Sequence, residues 1–275
     1  MDVNRDLMEK QRALEEDLKA AAAIQESLLS TQDHQVDGVR IASRFRPCEA
    51  VGGDIFSVSQ LGKGHLAVSM IDVSGHGVPA TMLSVSLART LSPEAGNIIK
   101  PGSPPTPPSV VMRTLDEKYP IERFDKHFTI CYLLFDCTTG RVRYTRAGHP
   151  MPVIQRADGS FQVLDAGGTV IGLGSDLPFE EREAQLSLGD RIFLYSDGLV
   201  ELESPDGAPY GEERFLHELR ACRGATLDDA CNRILESLRV FADGRPAKDD
   251  ITLLALEYEC ASGARGAGKD PDRSH

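Results

Sequence analysis

The sequence predicts an α+β fold: a central antiparallel β-sandwich flanked by helices, with a helical extension at its N-terminus. Two observations carry that expectation. Apolar, strand-like runs follow one another across short turns, as at CTTG (137–140) and RADGS (156–160), which is how hairpins read. Helical segments gather in groups instead of alternating one for one with strands, which argues against a doubly wound parallel sheet.

The elements follow in chain order. Residues 4–30 read as one helix, because Leu7, Leu14, Leu18, Ala21, Ile24 and Leu28 recur at helical spacing with charges between them. Lys10, Gln11 and Asp17 interrupt its second seam. Such a stripe must be covered by its own domain or by a partner helix. A dimerising or signal-transmitting element is the expectation, and packing onto the domain is the alternative. Strands are expected at 39–45, 54–61 and 65–73, then a helix at 78–91 with Pro79 in its first turn. Six prolines in 92–108 mark an irregular surface loop, followed by a short helix at 109–119. Strand pairs are expected at 127–136 with 141–148, and at 152–155 with 161–166. Two more strands, 179–188 and 190–198, are joined across LGD. Helices return at 211–220 and 226–241, the latter capped by Thr226, before a last strand at 250–258. The division expected is a regulatory or dimerisation helix at 1–34, one catalytic domain at 35–260, and a small, polar, disordered tail at 261–275.

Composition narrows the function. A net charge of −12 argues against nucleic-acid binding, which needs clustered Lys and Arg to neutralise phosphates. A chain this acidic that handles phosphate groups calls for metal ions to offset the repulsion. The six cysteines form no C-x-x-C pair and no zinc spacing, so they read as small hydrophobes in a reducing compartment. No secretory leader opens the chain and no apolar run approaches a membrane span, so a cytoplasmic protein with no membrane partner is expected.

Aspartates recur at the ends of the apolar strands. Asp54 follows VGG, Asp72 ends HLAVSMID, Asp197 ends DRIFLYSD, and Asp249 and Asp250 precede ITLLALE. A strand holds a carboxylate rigidly, and nearby glycine lets backbone or solvent approach. Several carboxylates at one sheet end repel one another unless cations sit between them, and hard divalent cations prefer such oxygen ligands. Any single Asp–Gly pair is more simply a turn, and spacing alone does not bring the set together.

The succession IQESLL (24–29), VGGD (51–54), DVSGHGVPA (72–80), FTICYLLFD (128–136), YTRAGHP (144–150), GDRIFLYSDGLVE (189–201) and KDDITLLAL (248–256) resembles the SpoIIE/RsbU-type branch of the PPM metal-dependent serine/threonine phosphatases, over roughly residues 15–258. The resemblance implies α-β-β-α layers and two Mn²⁺ or Mg²⁺ ions between the sheet ends. It implies that Asp72 bridges both metals, that the Val73 carbonyl completes one shell, that Asp54 binds the second metal, and that Asp197 and Asp249 bind the first, with Asp250 the alternative to Asp249. Ser57 stands where many relatives carry a further aspartate, and the Pro-rich 92–108 segment is long for the family. The resemblance further implies hydrolysis by a two-metal-activated water without a phospho-enzyme. Its substrate would be a phosphorylated STAS-domain anti-anti-sigma factor in a bacterial partner-switching pathway. A separate regulator that binds the N-terminal helix, or a homodimer through it, completes the expected partners.

The remaining chemistry-bearing residues fit around that reading. No serine lies in a G-x-S-x-G elbow, and Cys131 lacks the context of a Cys-based phosphatase. SGHG is not followed by Lys-Ser/Thr, so it is no P-loop. His76 and His149 are expected to support the site and not to carry the reaction. Arg44 and Arg46 approach substrate phosphate or are exposed strand charges, the second being the simpler. The competing function is a catalytically retired phosphatase-like module that docks a partner, and the complete set of aspartates speaks against it.

Overall fold

The computed structural model describes residues 2–29, 34–62, 64–99, 105–174 and 177–259. In chain order these form α1 (Asp2–Leu28), β1 (His34–Val36), β2 (Val39–Arg46), β3 (Ile55–Gln60), β4 (His65–Val73), α2 (Val78–Leu91) and a 3₁₀ turn at Pro93–Ala95. There follow α3 (Pro108–Lys118), α4 (Ile121–Phe124), β5 (Phe128–Asp136), β6 (Arg141–Ala147), β7 (Val153–Gln155), β8 (Phe161–Val163), β9 (Arg182–Gln185) and β10 (Arg191–Tyr195). The chain closes with α5 (Asp197–Val200), α6 (Gly211–Ala221), α7 (Leu227–Ala242) and β11 (Ile251–Tyr258).

Two antiparallel sheets result, ordered β1-β2-β11-β10-β7-β8 and β3-β4-β5-β6-β9. Their central strands are apolar on both faces, because each sheet packs on its partner inside and on helices outside. β4 and β5 are buried along nearly their whole length, and Leu66, Val68, Met70, Ile130 and Leu254 fill the interior. Outside the second sheet, α2 packs on β3 and β4, and α3 on β5 and β6. Outside the first, α7 packs on β2 and β11 through Leu227, Ala230, Ile234 and Leu238. The layers are α-β-β-α. Thr226 caps α7 as its sequence position predicts, its Oγ1 accepting the Asp229 N–H at 3.1 Å.

One expected connection takes a different path. The runs flanking LGD are consecutive but not partners: β9 pairs with β6, whereas β10 pairs with β7 and β11, so the turn carries the chain from one sheet to the other. Both strands alternate or bury in ways compatible with either sheet, and the turn residues serve a layer change as well as a hairpin. Residues 100–104 of the Pro-rich loop and the tail 261–275 lie outside the described residues. No helix among the described residues is long and apolar enough to cross a membrane.

Among the described residues, much of the apolar stripe of α1 is left exposed. Leu7, Leu14 and Ile24 are each 60% exposed or more, and Leu18 is half-buried; the Leu28 side chain lies outside the described residues. The helix meets the domain at its C-terminal end, through Gln25 and Leu29.

Candidate metal centre

Antiparallel pairing places the aspartates. β3 runs against β4 with Ile55 opposite Ile71, so Asp54, just before β3, lies beside the end of β4 that carries Asp72. β10 runs against β11 with Tyr195 opposite Leu253, so Asp197 and the Asp249–Asp250 pair share one end of the other sheet. Each sheet thus contributes one pair of adjoining strand ends.

Two glycines let these ends close up. A Cβ on Gly53 would stand 2.7 Å from the Val73 carbonyl oxygen, so only glycine lets the VGGD loop lie against the backbone of Asp72–Val73. A Cβ on Gly198 would stand 2.2 Å from the Asp250 carbonyl oxygen, which is how the Asp197 turn lies on the Asp249–Asp250 backbone.

The electrostatics link the carboxylates through Asp72. Burial, then Asp72, holds the Asp54 carboxyl well above the usual carboxylate range. Burial, then Asp197, Asp249, Asp250 and Glu201, pushes Asp72 up to about 7. Asp197 is raised by burial and by Glu201, and Asp249 by partial desolvation of its carboxylate and by Asp197. An oxygen-only donor set of carboxylates, each raised by burial and by neighbouring acidic groups, is what a hard divalent cation relieves, so these residues fit Mn²⁺ or Mg²⁺.

Asp249 and Asp250, adjacent in sequence, have separate tasks. Asp250 is buried, and its carboxylate accepts three backbone N–H groups: Cys48 at 2.8 Å on Oδ1, and Gly53 at 2.7 Å and Asp54 at 3.2 Å on Oδ2. Both oxygens are engaged in holding the loop that presents Asp54. Asp249 is exposed and its Oδ1 accepts only the Asp250 N–H among the bonds described. Of the two, Asp249 is the one free to bind an ion. Cys48 lies near both, and burial, then Asp250, pushes its thiol up to about 12. Asp54 itself is fixed by Thr252, whose Oγ1 donates to Oδ2.

The other expected residues fall around this centre. Thr129 pairs with Asp72 across β4 and β5, and its Oγ1 contacts His149 Nδ1 at 2.8 Å. His149 is fully buried, and burial, then Arg146, pushes its pKa down to about 3, so it stands behind the site as a neutral ring. His76 is exposed, pairs with Glu49 at 3.0 Å and lies close enough to lower Asp249. Arg44 ties β2 to α7 through Asp228 and Asn232 and does not face the site. Arg46 is an exposed strand charge. Ser57 shares a 2.8 Å hydrogen bond with Ser69 on β4, so it serves the sheet. Sequence reasoning missed the anchoring by Asp250, Thr252 and Gln25. Gln25 lay within a quoted motif, but nothing local showed what its amide would meet.

The raised carboxylates set a pH dependence for the metal-free protein. A folded pKa above the unfolded value means that the folded state holds more protons, so stability falls as pH rises from about 4 through about 7. Binding a cation requires the deprotonated form. Millimolar Mn²⁺ is therefore expected to raise Tm more at pH 7.5 than at pH 5.5, measured by differential scanning fluorimetry. An equal rise at both pH values would contradict the coupling.

A sandwich with helices on both outer faces and oxygen donors gathered at one end is the architecture of a PPM-type phosphatase. Residues 62–259 match the family model of Stage II sporulation protein E (SpoIIE). The phosphoserine phosphatase RsbU of Bacillus subtilis (strain 168) is 27% identical over 251 residues, covering 90% of this chain and 71% of RsbU. The SiaA-PP2C domain of Pseudomonas aeruginosa superposes with a TM-score of 0.76 at 19% identity, over 91% of this chain and 99% of that domain. The RsbU and RsbW domains of Rv1364c from Mycobacterium tuberculosis give a TM-score of 0.66 at 27% identity, over 82% of this chain and 61% of that one. The chain belongs to the SpoIIE family and is a serine/threonine phosphatase of the PPM type, of the SpoIIE/RsbU kind.

Proposed function

We propose that this phosphatase removes phosphate from phosphoserine or phosphothreonine on a STAS-domain anti-anti-sigma factor. In this reading Asp54, Asp72, the Val73 carbonyl, Asp197 and Asp249 hold two Mn²⁺ or Mg²⁺ ions. The convergence of these aspartates at the adjoining ends of both sheets carries the proposal. The likeness to RsbU, a phosphoserine phosphatase, supports the substrate class. A cytoplasmic location goes with that substrate.

When bound, the ions supply Lewis-acid charge for the phosphoryl oxygens and an activated water. The chain's own residues prepare the place. β4 and the VGGD loop hold Asp72 and Asp54 at fixed depth, and Asp250 and Thr252 keep the loop from shifting. Asp249 borders an open crevice of about 360 Å³ lined by Gly198, Glu201, Leu202, Arg245 and Lys248, which suits a phosphorylated protein segment better than an enclosed small molecule. No protein nucleophile is needed, and burial holds the Cys131 thiol far above its usual range. His149 is buried and held neutral.

Hydrolysis of p-nitrophenyl phosphate tests the metal-dependent chemistry. Turnover that requires Mn²⁺ or Mg²⁺ and stops with chelator is expected. A protein that binds its partner but releases no phosphate from any substrate would be the retired docking module instead. Helix α1, with Leu7 and Leu14 exposed, serves in this reading as the surface for a second copy of the chain. Sedimentation should show a dimer that Leu14→Asp dissociates; a monomer at all concentrations assigns the stripe to a separate regulator.

A further inference from the structure

Among the described side chains of α1, Gln25 alone is buried, at 2% exposure. Its amide bonds the VGGD loop in both directions. Oε1 accepts the Gly52 N–H at 3.1 Å, Nε2 donates to the Gly52 carbonyl at 2.9 Å, and Nε2 also lies 3.4 Å from the Asp54 carbonyl. The pattern is that of one rung of a β-ladder made by a side chain. Gly52 O also accepts Thr81 Oγ1 of α2 at 2.7 Å, while Asp250 takes the N–H groups of Gly53 and Asp54. The backbone flanking Asp54 is thus held by side chains from three elements. Thr81 and Asp250 belong to the packed sandwich. Gln25 belongs to a helix whose other described residues are exposed or half-buried, so it is the one of the three whose position follows α1.

We infer that Gln25 is a positioning residue: its amide, and not the packing of the helix end as such, sets the placement of the VGGD loop and with it the Asp54 carboxylate, and so how tightly the Asp54 metal is held. The inference rests on the reading of this site as a metal centre. Partners that orient a metal ligand typically change metal affinity by about 10–100-fold when removed. The amide is well suited to the task because it supplies both a donor and an acceptor to a loop buried away from water.

The test is calorimetric titration of Mn²⁺ into the full chain freed of metal, comparing wild type with Gln25→Met, Gln25→Glu and Leu29→Ala. Leu29 packs the same helix end into the core without touching the loop's polar groups through its side chain. Gln25→Met is expected to weaken one of two sites by about tenfold or more and leave the other unchanged. Turnover at saturating Mn²⁺ should then return toward wild type, so the metal requirement rises without loss of kcat. Gln25→Glu keeps the acceptor and adds a charge that alone would tighten a cation; weaker binding there also marks a positioning effect, and it serves if Gln25→Met fails to fold. Leu29→Ala should lower Tm with an unchanged isotherm. Unchanged Mn²⁺ affinity in the Gln25 variants, or equal weakening in Leu29→Ala, overturns the inference. A wild type that binds no Mn²⁺ overturns the metal-centre reading itself.

Discussion

Asp72→Asn is expected to lower phosphatase turnover by about three orders of magnitude, equivalent to about 4 kcal/mol of barrier at room temperature. The residue leaves β4 at the junction of both sheets and is the carboxylate on which Asp197, Asp249, Asp250 and Glu201 all act. Asparagine keeps the size and removes the charge, so in the proposed reading a cation would lose a ligand while the packing stays. The stability of the metal-free protein should move the other way. Without a cation the Asp72 charge is a buried liability among like charges, and its removal is expected to leave Tm at pH 7.5 equal to wild type or higher. Activity and thermal unfolding measured on the same preparation check both halves. A large fall in metal-free Tm would mean that Asp72 holds the fold instead of an ion.

Asp250→Ala should show the reverse profile. Its carboxylate accepts three backbone N–H groups, from Cys48, Gly53 and Asp54, and itself is buried. Alanine leaves those donors without their acceptor, at about 1–3 kcal/mol for each that stays buried. A loss of about 3 kcal/mol follows, which lowers Tm by about 10 °C in a domain of this size. The neighbouring Asp249→Asn should leave metal-free Tm nearly unchanged and abolish metal-dependent turnover, because Asp249 is exposed and braces little. Denaturant unfolding of the two variants, one residue apart, separates the anchor from the ligand. Equal destabilisation by both would remove the distinction.

Much of the scaffold was legible because its strands are buried on both faces. HLAVSMIDV and FTICYLLFD read as predominantly apolar runs, and each ends close to where its pattern stops. Thr226 announces α7 because capping is a local interaction three residues long. The layer change between β9 and β10 was not legible, since a short Gly turn serves a hairpin and a crossing equally. The strand-end aspartates were visible as a set, and the resemblance assigned their roles. Choosing Asp249 over Asp250 rests on hydrogen bonds to Cys48, Gly53 and Asp54, about 200 residues away in the chain, and no local pattern encodes such bonds. Gln25 is the same case over a shorter span. Its position in a helical stripe is plain, but its tie to Gly52 depends on how the helix end meets a loop.

The most direct test of the account is phosphate release from a phosphoserine-bearing STAS-domain protein, followed with Mn²⁺ and again after chelation, for wild type and Asp72→Asn in parallel. The account predicts steady release by wild type with Mn²⁺, none after chelation, and none above background from Asp72→Asn under either condition. Release that persists after the metal is removed, or that Asp72→Asn sustains at the wild-type rate, would contradict it.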